Sequence, residues 1–245
     1  MGNIVGKEEW LKIIPILEQY ENSIILLDEA YAEMVFDELH QSLFSLATEQ
    51  LRERIILLRS GTKGFSASGE RMAILVSRNQ SFINKIVEYH ASNLVHSPKS
   101  AQHAYTCAME QFNGDEQLRL ASFYKPMVRS VEALLKETNF AVKHNAYQSR
   151  TATFYVIADF SDLFGKALPD DLLSIYDSKS KRVIENNIDL AMYILFKYKL
   201  ALMPMHYFGA KLNSGLLRIT CSFEHEAELE NMQKVLRQIR QDLIG

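Results

Sequence analysis

The stretch IILLRSGTKGFSASGERMAILV, residues 55–76, constrains the fold more than any other part of the chain. Two unbroken apolar runs, RIILLRS (54–60) and RMAILVS (71–77), enclose a polar turn that carries Gly61, Gly64 and Gly69. Apolar runs without polar alternation are expected of strands buried on both faces. The turn also holds Lys63, flanked by the hydroxyls of Ser60 and Thr62, with Arg71 eight residues after the lysine. Glycine lets a ligand approach the backbone closely. A guanidinium is a planar fork suited to phosphate. A lone lysine in a turn is ordinarily a solvated surface group, and it is these neighbours that set Lys63 apart. An amine among hydroxyls, glycines and an arginine describes a phosphate site with a nucleophile inside it, and a phosphorylated aldehyde fits that description.

The rest of the chain supplies an α/β setting for this turn. KEEWLKIIPILEQYE (7–21) places Trp10, Ile13, Ile14 and Leu17 on one helical face, with Pro15 expected to kink it or mark a boundary. SIILLD (23–28) reads as another buried strand. Helices are predicted over 81–94, 97–112 and 115–138, the last broken near Pro126. FAVKH (140–144), ATFYVIADFS (152–161), LALMPM (200–205) and LLRITCSF (216–223) read as strands, and 182–198 and 224–243 as helices. Strand-rich segments bounded by helices make the second half a smaller α+β domain.

The segment SGTKGFSASGERMA is similar to the lysine signature of the class I/II pyridoxal-phosphate aminotransferases, of fold type I. That family carries a serine three residues before the lysine, and an arginine eight after it followed by an apolar and a small residue. Ser60, Lys63, Arg71, Met72 and Ala73 match, as do Ser66, Ala67 and Gly69 between them; Gly61 stands where the family has an apolar residue or threonine. Upstream, IILLDEAYAEMVF (24–36) resembles the family's strand ending in Asp-x-x-Tyr. The resemblance implies pyridoxal 5'-phosphate (PLP) as cofactor. Lys63 would form the internal Schiff base and shuttle the proton between the α-carbon and the cofactor. Ser60 and Arg71 would hold the phosphate, Asp28 would pair with the pyridine nitrogen, and Tyr31 would hydrogen-bond the ring hydroxyl oxygen. SGLLRITCSFEHEAELENMQKVLRQI resembles the closing strand and helix, which makes Arg218 the group that grips the substrate α-carboxylate. TATFYVIADFS and MPMHYFG resemble small-domain strands, with Met205 and His206 where the family has small residues.

The implied function is transfer of an amino group between an amino acid and a 2-oxo acid. The implied fold is α/β: part of an aspartate-aminotransferase-like large domain over 1–95, connecting helices over 96–137, and a small α+β domain over 138–245. Family members carry a long part before the Asp-x-x-Tyr strand, with a phosphate-binding helix, a stacking aromatic and an Asn-Pro-x-Gly motif. Gly2-Asn3-Ile4 corresponds to the end of that motif, so the chain reads as a C-terminal portion. Its three large-domain strands would come from one end of a seven-stranded sheet, and a homodimer or a missing N-terminal half is the expected partner. Carbon–sulfur lysis and decarboxylation by other fold-type-I enzymes stay open, as does a non-catalytic interaction module.

Composition narrows the remaining possibilities. A net charge of −3 with interspersed signs gives nucleic acid no general electrostatic support. The apolar stretch at 187–209 is interrupted by Asp189, Lys197, Lys199, Pro204 and His206, so no membrane span is expected. Cys107 and Cys221 are far apart and suit a reduced, cytoplasmic setting as small buried hydrophobes. His90, His96 and His103 lack the spacing of helical metal ligands, and no metal is expected.

Overall fold

The computed structural model describes residues 2–142, 151–174 and 183–244. These form two compact units, one of Ile4–Ser122 with Thr151–Thr153, the other of the first residues together with Phe123–Arg150 and Phe154–Gly245.

The first unit runs α1 (Lys7–Gln19), β1 (Ile25–Asp28), α2 (Leu43–Leu46), α3 (Glu49–Arg52), β2 (Ile55–Ser60), α4 (Gly61–Gly64), β3 (Ala73–Ser77), α5 (Gln80–Asn93), α6 (Lys99–Gln111) and the start of α7 (Gly114–Glu137). Its sheet has the order β1-β2-β3, with β1 parallel to β2 and β3 antiparallel to it. Ile14 of α1, Leu43, Ala47 and Leu51 pack with Ile55 and Leu57 of β2, and Trp10 and Leu17 cover this cluster. The Trp10 indole N–H donates to the Gln41 carbonyl at 3.0 Å, which gives the half-buried ring its polar partner.

Of the three strands of this sheet, burial on both faces holds for β2 alone, whose Ile55, Ile56 and Leu57 are nearly inaccessible. β1 leaves Leu26 67% exposed, with Ile24 beside it at 68%, and β3 leaves Val76 half-covered. The reason is position: β2 is the middle strand, and β1 and β3 are edges among the described residues. Pro15 and Pro126 break neither α1 nor α7. The carbonyls four residues before them, which lose their usual donor, belong to the exposed Leu11 and Ser122. Cys107 lies on the exposed face of α6, contrary to the expectation of burial, whereas Cys221 is buried.

The second unit contains the rest of α7, then β4 (Ala141–Val142), β5 (Tyr155–Asp159), α8 (Asp170–Leu173), α9 (Asn187–Tyr198), β6 (Met203–Pro204), β7 (Leu216–Thr220) and α10 (Glu226–Ile244). The strand expected at 140–144 is present as β4, and its last two residues lie outside the described residues. The antiparallel sheet has the order β4-β5-β7-β6. Val156, Ala158, Leu217 and Ile219 are buried on it, as are Leu236 and Ile239 of α10. Arg240 of α10 donates to the Thr138 carbonyl at 2.6 Å and lies over the Phe140 ring, docking α10 on the end of α7.

Candidate functional site

The strand register of the first unit gathers one set of candidate residues at one sheet edge. β1 and β2 run in parallel with Asp28 opposite Leu58, so Asp28 and Ser60 leave the sheet on the same side. β3 returns with Ala73 opposite Ser60, so Arg71 enters from that side too. Ligands of parallel α/β sheets bind outside the carboxyl ends of the strands. Asp28, Ser60, Lys63 and Arg71, with Tyr31 in the turn after β1, thus share that edge.

Each residue is held by local chemistry. Ser60 is buried and caps α4: its Oγ accepts from the Thr62 N–H at 3.2 Å and donates to Thr62 Oγ1 at 2.8 Å. Lys63 is half-buried in that single turn. Asp28 is exposed, and its Oδ1 accepts from the Ala30 N–H at 3.0 Å, which bends the chain away from the strand. Tyr31 is half-buried, and its carbonyl accepts from the Met34 N–H at 2.9 Å. Arg71 is exposed, sits in the left-handed region at φ +52°, and donates from Nη1 to the Ser68 carbonyl at 3.2 Å. Arg218 belongs to the other unit.

Behind the lysine turn lies a buried charged cluster that sequence reasoning missed. Glu29 and Glu33 are 5% and 2% exposed. Arg59, the residue before Ser60, pairs with Glu33 and stands 3.5 Å from Glu29, and His40 stands 3.1 Å from Glu29. Burial acts to raise the Glu29 carboxyl, but side-chain hydrogen bonding to His40 and Ser42, with electrostatic attraction to His40 and Arg59, outweighs burial and holds it below its ordinary value. Burial and the Glu33 charge push the Tyr105 hydroxyl up. Gly64 presses on this cluster: a Cβ there would lie 2.5 Å from Glu33 Cβ. The sequence held a signal in Arg59 within IILLRS and in two glutamates four apart in an apolar stretch, since buried charges need partners.

In the second unit Arg218 sits on β7 between Ile157 of β5 and Met203 of β6. Its guanidinium lies 4.1 Å from the Tyr155 ring centroid and 4.5 Å from that of Phe208. Its Nε is buried without a hydrogen-bond partner. The fully buried Asn187 sets the turn into β7: it donates to Ser214 Oγ at 2.9 Å and accepts from the Gly215 N–H at 2.8 Å. Gly215 has φ +73°, and a Cβ on it would lie 2.6 Å from Ser161 Cβ.

Residues 1–236 match the family model for aminotransferase class I and II. The chain belongs to the class I and II aminotransferases. A protein of Rickettsia felis named "Probable aspartate/prephenate aminotransferase" is 24% identical over 91% of the chain, and its Rickettsia conorii counterpart is 22% identical over 96%. The chain spans 50% and 53% of those proteins, about half the length of the relatives it matches. Among solved structures, an aromatic aminotransferase from Pyrococcus horikoshii superposes at a TM-score of 0.75 with 18% identity, covering 98% of this chain and 56% of that one. N-succinyldiaminopimelate aminotransferase from Mycobacterium tuberculosis does so at 0.74 with 20% identity, covering 98% and 55%. The aminotransferase fold here is therefore the fold-type-I, aspartate-aminotransferase-like one, and that family is PLP-dependent in general. Among the described residues no helix is long and apolar enough to cross a membrane, and no group of three or more His, Cys, Asp or Glu side chains is placed to hold a metal ion.

Proposed function

We propose that the chain carries the lysine-bearing part of a PLP-dependent aminotransferase that moves an amino group from an amino acid to a 2-oxo acid. The observation that carries this reading is the strand register, which gathers Asp28, Ser60, Lys63 and Arg71 at one sheet edge in a chain of this family. The donor set fits the cofactor. Hydroxyls of Ser60 and Thr62 and the Arg71 guanidinium suit a phosphate, Lys63 supplies an amine, and the exposed Asp28 carboxylate suits a protonated ring nitrogen. Bound PLP supplies an aldehyde that links to amines and a protonated ring that accepts electrons.

The protein's own groups then have separate tasks. Asp28 keeps the ring nitrogen protonated, because a carboxylate beside it favours the charged form. Tyr31 would donate its phenol hydrogen to an acceptor oxygen of the cofactor ring. Lys63 Nζ would anchor the cofactor, and as a free amine it would be the group that holds and moves the proton at the substrate α-carbon. Arg218 holds the substrate carboxylate in its planar fork and so orients the bond to be broken. The connected domains follow the ranges 1–95, 96–137 and 138–245, and the remaining portion of a full-length relative, or a second copy, completes the site.

The reading is tested by adding PLP to the purified chain and to Lys63→Arg, following the visible absorbance band of the lysine-linked cofactor. Amino transfer from L-aspartate to 2-oxoglutarate is followed alongside, the donor being the one the Rickettsia relatives are named for. The band should form with the native chain and be absent in the variant. An identical band in both would refute the assignment.

A further inference from the structure

We propose that Tyr155 and Phe208 are positioning residues for Arg218, clamping its guanidinium between two rings so that only its in-plane edge is offered to a carboxylate. This inference rests on the reading of Arg218 as the carboxylate-binding group.

The geometry comes from three strands. Arg218 is opposite Ile157, and Tyr155 lies two residues along β5, on the same face of the strand. The Tyr155 ring therefore leans diagonally over the arginine, with its centroid 4.1 Å from the guanidinium carbon. On the other side β6 brings Met203 opposite Arg218, and a one-turn helix, Met205–Phe208, folds back over it. Gly209, at φ +88°, closes that turn and sets the Phe208 ring 4.5 Å from the same carbon. Phe208 is 54% exposed, so its ring adds little to the core, and its contact with the guanidinium is what its placement achieves. This is the segment, MPMHYFG, in which Met205 and His206 stand where small residues were expected.

The chemistry follows from the fork. A guanidinium donates hydrogen bonds only in its own plane. Two rings at these distances, one reaching in from β5 and the other from the turn after β6, attract the cation and displace water from it without using any donor. Arg218 Nε is buried and lacks a partner, so an in-plane donor is already stripped of water. Such a donor gains more from a ligand oxygen than a hydrated one does. A clamped side chain also has less freedom to lose on binding. The device favours a planar carboxylate that meets two parallel N–H groups.

The experiment follows the Arg218 Nε–H signal by side-chain nitrogen NMR, assigned by its loss in Arg218→Lys. Native chain, Phe208→Leu, Tyr155→Leu and Phe208→Trp are titrated with pyruvate and, as the uncharged control, methyl pyruvate. The signal should move with pyruvate alone. Removing either ring should weaken pyruvate binding roughly 2–30-fold, the span of a cation–π contact, and Phe208→Trp should restore it. A purely structural role for Phe208 would shift the unfolding midpoint and leave pyruvate affinity unchanged. If both leucine variants bind pyruvate as the native chain does, the clamp is overturned and the carboxylate role of Arg218 stands. If pyruvate never moves the Arg218 signal in the native chain, the carboxylate role fails and the clamp fails with it.

Discussion

Replacing Gly64 by alanine tests how the lysine turn is supported. A Cβ at position 64 would lie 2.5 Å from Glu33 Cβ, 2.8 Å from its Cγ and 2.7 Å from its Oε2. The nearest of these atoms is fixed to the backbone, so no rotamer change of Glu33 relieves the clash. Glu33 is 2% exposed and paired with Arg59, so moving it disturbs a buried charge. Overpacking costs about 1–3 kcal/mol. Breaking a buried pair costs about 3–5 kcal/mol, taken at or below its lower end because the Arg59 side chain is 27% exposed. Alanine regains about 1 kcal/mol of helix propensity. The net expectation is a loss of about 2–4 kcal/mol. Trp10, the sole tryptophan, lies in the same compact unit, so its fluorescence during urea unfolding reads the effect directly. The cost should largely vanish in a Glu33→Gly background, which removes all three contacts. Gly61→Ala is the milder comparison: the nearest atoms to its Cβ would be Tyr105 ring atoms at 3.1 Å, with Phe65 Cδ2 at 3.7 Å, and none of the three is backbone or Cβ. A Gly64→Ala variant within about 0.5 kcal/mol of the native chain, the size of an inconsequential surface change, would refute the argument.

Two further outcomes follow. Glu29 is held below its ordinary pKa of 4.5, so its contribution to stability is fully present above that value and is lost as pH falls through the lower, folded-state pKa. Glu29→Gln should therefore flatten the decline of the Trp10-reported unfolding midpoint below about pH 4.5, and an unchanged acid limb would exclude the role. Arg71 sits at φ +52°, where glycine is relieved of about 1–2 kcal/mol of backbone strain. Arg71→Gly should thus leave the chain at least as stable while weakening PLP binding in an absorbance titration, and an equal loss of both would show that Arg71 is structural.

How much of this was legible in the sequence depends on the range of the interaction. The lysine turn was readable because two apolar runs of strand type confine Ser60, Lys63 and Arg71 to one connection. Asp28 was placed by the short run that ends in it, and the parallel register then put it on the same edge. The exposure of Leu26 on β1 was not readable, since an apolar run does not say whether its strand has a neighbour on each side. Continuity of α7 through Pro126 was missed because the cost of a proline depends on where the orphaned carbonyl points. The Glu29–Glu33–Arg59–His40 cluster joins residues about thirty apart, and the Tyr155–Arg218–Phe208 stack depends on strand register. Neither is encoded in local periodicity.

We propose Lys63 as the amine that holds the cofactor. The most direct test is to incubate the chain with PLP, reduce with borohydride, digest, and map the pyridoxyl group by mass spectrometry. The label should fall on the peptide containing Lys63, ahead of every other lysine, and be lost in Lys63→Arg. Label spread evenly over surface lysines, or concentrated on a lysine outside the turn between β2 and β3, would contradict the account.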